Sequence, residues 1–135
     1  MPYWRTFYHI VWSTQERQPQ IDAALEAERF ACLSSTAQRL GATVHAINGT
    51  GDHVHLVLSV PPTVALATIG GQVKGSSAHL ANHRPGADGA FSWERGYGLF
   101  TLGPRQLPRA VAYVRGQKEH HAQRTTIASL ERSEA

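Results

Sequence analysis

The chain lacks most of the features that would place it in a specialised class. It has one cysteine, Cys32, which excludes an intramolecular disulfide framework and a cysteine-based zinc knuckle. Its most apolar stretch, Val54–Val60, is interrupted by His55 and Ser59 and falls far short of the ~20 residues that span a bilayer. The opening Met1-Pro2-Tyr3-Trp4-Arg5 has no charged-then-apolar secretory pattern. No internal repeat, low-complexity segment or linker divides the sequence. These absences lead us to expect a soluble, reduced, cytoplasmic protein with no membrane association. At 135 residues, 41% hydrophobic and 17% charged, the chain suits one globular core.

Lysine is also scarce, with two residues against eleven arginines, yet the formal net charge is +3. Residues 1–45 and 46–90 are each neutral. Residues 91–135 hold seven bases (Arg95, Arg105, Arg109, Arg115, Lys118, Arg124 and Arg132) against four acids, so the whole surplus lies there. A basic segment of this kind is the usual footprint of a polyanionic partner.

The pattern of elements is mixed. Tyr3–Trp12 is aromatic and β-branched and reads as a strand, with Trp4, Thr6, Tyr8, Ile10 and Trp12 on one face. Pro19 and Asp22 open a helix whose apolar residues Ala23, Ala27, Phe30, Leu33, Ala37 and Leu40 step by three or four, with Gly41 as its stop. Thr43–Ile47 and His53–Val60 read as an antiparallel hairpin turning at Asn48-Gly49-Thr50-Gly51. Pro61-Pro62 opens a second helix, in which Gly70-Gly71 predicts a kink or a close contact. Phe91–Trp93 and Gly98–Leu102 are short strand candidates, and Pro108 starts a last helix that runs to about His121. The order β-α-β-β-α-β-β-α predicts an α+β fold, a mostly antiparallel sheet sandwiched by helices. Residues 1–122 form the expected single domain, and 123–135 a polar C-terminal tail.

Two places carry chemistry. In Asp52-His53-Val54-His55-Leu56-Val57-Leu58, strand alternation puts His53 and His55 on one face and Val54, Leu56, Leu58 and Val60 on the other. Two imidazoles side by side on a rigid strand form half of a divalent-metal site. On the last helix, Tyr113 and Gln117 are four residues apart and share a face, which Arg109 extends backwards and His120 or His121 forwards. A tyrosine oxygen can attack a phosphorus whose charge a metal neutralises, and glutamine can offer a neutral oxygen to a hard cation. The safer reading of the tandem His120-His121 is a solvated helix end.

His-hydrophobic-His on a strand, followed by Tyr-x-x-x-Gln on the last helix, resembles the single-tyrosine HUH transposases, the IS200/IS605-type enzymes and their REP-associated relatives. The resemblance extends over His9-Ile10-Val11-Trp12-Ser13-Thr14, Asp52 through Pro62, Val73-Lys74-Gly75-Ser76-Ser77-Ala78, Trp93-Glu94-Arg95-Gly96-Tyr97-Gly98 and Tyr113 through His121. It implies a ferredoxin-like antiparallel sheet, His53, His55 and Gln117 as ligands of Mg²⁺ or Mn²⁺, and Tyr113 as the nucleophile that leaves a 5′-phosphotyrosine. It also implies a bacterial or archaeal protein that is a homodimer and acts on single-stranded DNA folded into hairpins at the ends of a mobile element. Lys74, Arg95, Arg105, Arg109, Arg115 and Lys118 are the expected DNA contacts. Two other readings stay open: a domesticated or inactive nucleic-acid-binding relative, and a metal-dependent phosphohydrolase in which Tyr113 only lines the pocket.

Overall fold

A computed structural model describes residues 3–21, 26–123, 126 and 131–133. The strands are β1 (Phe7–Ser13), β2 (Thr43–Gly49), β3 (His53–Ser59) and β4 (Gly98–Leu102). The helices are α1 (Glu26–Arg39), α2 (Leu66–His83), α3 (Leu107–Arg115) and α4 (Gln117–Gln123). The strands form one sheet in the order β2-β3-β1-β4, and every neighbouring pair is antiparallel. The result is the expected α+β sandwich.

Because β1 and β3 are the inner strands, nearly all of their side chains are buried. Alternation then sorts the side chains of β3 into two environments. Val54, Leu56 and Leu58 join Ile10 and Trp12 of β1 in the main core, with Leu33 and Ala37 of α1 and Ile69 and Val73 of α2. On the opposite face Val57 packs with Ala46 of β2 and Ala110 and Val114 of α3. Each fully buried aliphatic side chain contributes roughly 1.5–3 kcal/mol, so both faces are firmly covered. His53 and His55 fall on the face of Val57, beneath α3. This is what positions the site.

Several sequence expectations are corrected. Asn48 and Gly49 are not the hairpin turn. They pair with His55 and Val54 inside the ladder, Gly49 has no positive φ, and the connection is Thr50–Asp52. Phe91–Trp93 does not form a strand; Trp93 makes a single bridge to Thr14, and the element order lacks that β. β1 begins at Phe7 rather than Tyr3. The expected helix start at Asp22 and Ala23 lies outside the described residues, as does Arg124. The Gly70 contact is real, since a Cβ there would lie 3.2 Å from the ring of Tyr97, whereas Gly71 faces open space.

The last helix is not continuous. It breaks at Gly116, whose N–H bonds to the carbonyls of Ala112 and Val114. Asn48 holds the break: its Nδ2 donates to the Arg115 carbonyl at 2.9 Å, and its Oδ1 accepts from Lys118 Nζ at 2.6 Å. Tyr113 therefore sits in the last turn of α3 and Gln117 in the first turn of α4, both turned onto the sheet.

Candidate active site

Glu131, from the stretch read as a polar tail, reaches across to β3, α3 and α4 with both carboxylate oxygens. Its Oε1 lies 3.3 Å from His53 Nε2, 3.0 Å from His55 Nε2 and 3.2 Å from His121 Nε2. Its Oε2 accepts a short hydrogen bond from the Tyr113 hydroxyl and another from Gln117 Nε2 at 3.0 Å. The Gln117 Oε1 lies 3.3 Å from His53 Nε2. Four of the expected residues (His53, His55, Tyr113 and Gln117) are thus brought together, with Tyr113 5% and Gln117 0% exposed.

Outer partners orient the two strand imidazoles. His53 Nδ1 meets Asp52 Oδ1 at 2.7 Å and Thr50 Oγ1 at 2.8 Å, so its Nε2 is turned inward. His55 Nδ1 meets His9 Nε2 of β1 at 2.7 Å. The tandem histidines are not a solvated end. His121 stands with its ring 4.6 Å from that of His53, and His120 stacks on Tyr113 at 4.7 Å and 23°.

The electrostatics follow from burial and this one carboxylate. Burial alone would raise the Glu131 carboxyl, but hydrogen bonds from His53, His55 and Tyr113 hold it well below the usual carboxylate range. Burial works against charge on His53 too, yet Glu131 and Asp52 together shift it upward. His55 moves the other way, because its burial outweighs Glu131 and because His53 and His121 repel a second positive charge. Asp52 resists the effect of burial through its bond to His53 and stays ionised to lower pH than usual.

The donor set fits a divalent cation. One ring nitrogen each of His53, His55 and His121 and one oxygen of Glu131 lie within 4.8 Å of one another. Bonds of about 2.0–2.2 Å to a common ion place neighbouring donors about 2.8–3.6 Å apart; Glu131 stands 3.0–3.3 Å from each imidazole, inside that range, and the full spread of 4.8 Å needs a small closure around the ion. The single carboxylate among three imidazoles also supplies negative charge that a cation would offset.

Of the expected DNA contacts, Arg95, Arg105, Arg109 and Arg115 are exposed, and none makes an ion pair among the described residues. Lys118 is exposed but pairs with Glu26 at 2.7 Å. The Lys74 ammonium donates to the carbonyls of Glu94 at 2.6 Å and Gly96 at 3.0 Å, so it braces the turn before β4. Sequence reasoning missed Glu131 altogether. His9 and Asp52 lie in the stretches that carry the family resemblance, but no local pattern assigns them a role.

A His-x-His pair on an inner strand of an antiparallel sheet, facing a buried tyrosine on the helix above it, defines the class of the single-tyrosine HUH transposases. Within that class the chain belongs to the IS200-like transposases, since the family described as "Transposase IS200 like" matches residues 2–117. It is 25% identical over 126 residues to the transposase for insertion sequence element IS200 of Salmonella typhimurium, covering 86% of this chain and 79% of that one. The Salmonella typhi protein of the same description matches equally. Two solved structures share the fold. One is a Deinococcus radiodurans R1 protein described as a transposase, with TM-score 0.65 and 22% identity over 87% of this chain and 95% of that chain. The other is a REP-associated tyrosine transposase bound to a REP hairpin, with TM-score 0.68 and 12% identity over 90% of this chain and 74% of that one.

Proposed function

We propose that this transposase cleaves and rejoins single-stranded DNA at hairpin-marked ends through a covalent bond to Tyr113. The observation that carries the proposal is the Tyr113 hydroxyl, which lies in the same pocket as the His53, His55 and Gln117 donors and points at the Glu131 carboxylate. His53, His55 and Gln117, joined by Glu131 and His121, would hold Mg²⁺ or Mn²⁺. The bound ion would neutralise charge on the scissile phosphate. Three imidazoles favour Mn²⁺ over Mg²⁺ within that pair.

In the reaction Tyr113 Oη attacks phosphorus in line as the P–O3′ bond breaks. A 5′-phosphotyrosine forms, and the departing 3′ oxygen takes up a proton. The bond energy is conserved, so rejoining needs no nucleotide. Glu131 Oε2 accepts from the hydroxyl and so orients the oxygen, but a carboxylate held this far below its usual range is too weak a base to keep the proton, which would pass on to the departing 3′ oxygen. His120, stacked on the Tyr113 ring, restrains its direction.

Tyr113 lies over the histidines of its own chain, its ring 6.2 Å from that of His55, so cleavage in cis needs no second copy even if the protein forms a homodimer. Arg95, Arg105, Arg109 and Arg115 would hold the DNA backbone, with unpaired bases recognised by stacking. On this reading the protein would act in the cytoplasm of a bacterial or archaeal cell, as the resemblance implies. No helix among the described residues is long and apolar enough to cross a membrane.

The test is incubation with single-stranded hairpin DNA and Mn²⁺, followed by denaturing electrophoresis. The wild type should give an SDS-resistant protein–DNA adduct, and Tyr113→Phe should bind the DNA normally and give none. Binding by the wild type without any adduct would favour an inactive relative. Turnover of small phosphodiesters by Tyr113→Phe would favour a phosphohydrolase.

A further inference from the structure

We propose that His9 is a positioning residue that sets the tautomer of His55, and that cation binding switches both imidazoles together. The inference rests on the cation site proposed above and concerns what lies behind it. His9 stands on β1 opposite Val57 of β3, is 0% exposed, and faces His55 with ring centroids 4.9 Å apart at 27°. Its Nε2 is 2.7 Å from His55 Nδ1, while its own Nδ1 has no hydrogen-bond partner among the described residues. A protonated ring would carry a second buried N–H at Nδ1 with nothing to accept it, so geometry alone favours the neutral imidazole.

Counting protons then leaves two arrangements. A neutral imidazole carries one N–H and one bare nitrogen. In the first arrangement His9 Nε2–H donates to His55 Nδ1, and the His55 proton sits on Nε2, where it donates to Glu131 at 3.0 Å. Every N–H has an acceptor, and the unpartnered His9 Nδ1 is only a lone pair. In the second arrangement His55 Nδ1–H donates to His9 Nε2. That frees the His55 Nε2 lone pair for a cation, but the His9 proton must move to Nδ1, where nothing accepts it.

A buried donor without a partner is costlier than a buried lone pair of the same ring. The cation-free protein therefore rests in the first arrangement. A cation at His55 Nε2 demands the second, and only a neighbour able to accept from Nδ1 permits it. His53 differs: its Nδ1 faces the carboxylate of Asp52, which accepts in either state. The two strand ligands thus have unlike supports, one fixed and one switching, with no net proton gained or lost in the exchange.

The experiment uses the full chain without DNA. Long-range ¹H–¹⁵N spectra of the imidazoles should show His9 and His55 both protonated at Nε2 in the cation-free protein and both at Nδ1 after saturation with Mg²⁺. Calorimetry with Mn²⁺ should show His9→Phe binding about 10–100-fold more weakly than wild type. His9→Gln, whose amide oxygen accepts from His55 Nδ1, should recover most of that affinity. The proposal is overturned if the His55 proton already sits on Nδ1 without a cation, or if folded His9→Phe binds Mn²⁺ within twofold of wild type. A wild type that binds neither ion would instead refute the cation site itself.

Discussion

Gly98 offers a way to remove Glu131 from the site without altering its chemistry. A Cβ at position 98 would lie 1.7 Å from the Arg132 carbonyl oxygen, 2.8 Å from its carbon and 2.9 Å from Val11 Cγ1. Carbon–oxygen contacts settle at about 3.3–3.6 Å, so in Gly98→Ala the backbone at Arg132 must retreat by roughly 1.5 Å or more. The Val11 methyl can rotate away; a carbonyl in the chain cannot. Glu131 is the next residue, and its contacts of 3.0–3.3 Å to His53, His55 and His121 do not survive such a shift.

If Glu131 is a cation donor, Gly98→Ala should reproduce the loss seen in Glu131→Gln. Each should weaken Mn²⁺ binding by about tenfold or more, the scale on which supporting groups of metal sites act. Calorimetry on wild type, the two single variants and the double variant measures this directly. The double variant should bind no more weakly than either single, because both changes remove one group. Wild-type affinity in Gly98→Ala beside a weakened Glu131→Gln would show that the segment is not seated on the sheet as described. Fully additive losses would show that Gly98 acts through something other than Glu131.

Two further predictions concern residues whose roles the structure redefines. Lys74→Met should cost about 1–2 kcal/mol in urea unfolding, because two loop carbonyls lose their donor, and should leave the salt dependence of DNA binding unchanged; a slope reduced by about one would place Lys74 on a phosphate after all. The cation-free protein should lose stability as pH falls below 6.5 toward 3. His9 takes up a proton in the unfolded chain across that window but not in the fold, where its pKa is about 3, and 3.5 pH units at about 1.4 kcal/mol each bound the loss at about 5 kcal/mol. His9→Phe should flatten this acid limb in a pH series of denaturation curves, and parallel curves for the two proteins would refute the assignment.

The alternation of β3 was legible in seven letters. Its apolar row reads as core, its two histidines read as a pair on the other face, and the structure keeps both. The Tyr113–Gln117 spacing was legible for the same reason, since residues four apart share a helix face even across the Gly116 break. Local periodicity survives folding because it is a property of the backbone itself. The failures came where a neighbour overruled a local signal. Asn48-Gly49 has strong turn chemistry, yet the ladder opposite His55 and Val54 continues through it, and the Asn48 side chain is used to hold the end of α3. Phe91–Trp93 has the composition of a strand, but only Trp93 enters a bridge, and the Asn82 side chain takes both backbone groups of Phe91.

By itself the sequence determined the α+β class, the two faces of β3 and, through short-range spacing, that His53 pairs with His55 and Tyr113 with Gln117; the roles of these four came from the resemblance. Tertiary structure alone decided that Glu131 joins them, that His121 turns inward, and that His9 stands behind His55. Those contacts link positions 46 to 78 residues apart, or cross from a tail with no periodicity, and no local pattern encodes a meeting that only chain closure creates. The positive surplus of residues 91–135 belongs between the two. Its sign was plain in the composition, but only the fold separates the exposed Arg95, Arg105, Arg109 and Arg115 from a lysine already bound to its own loop.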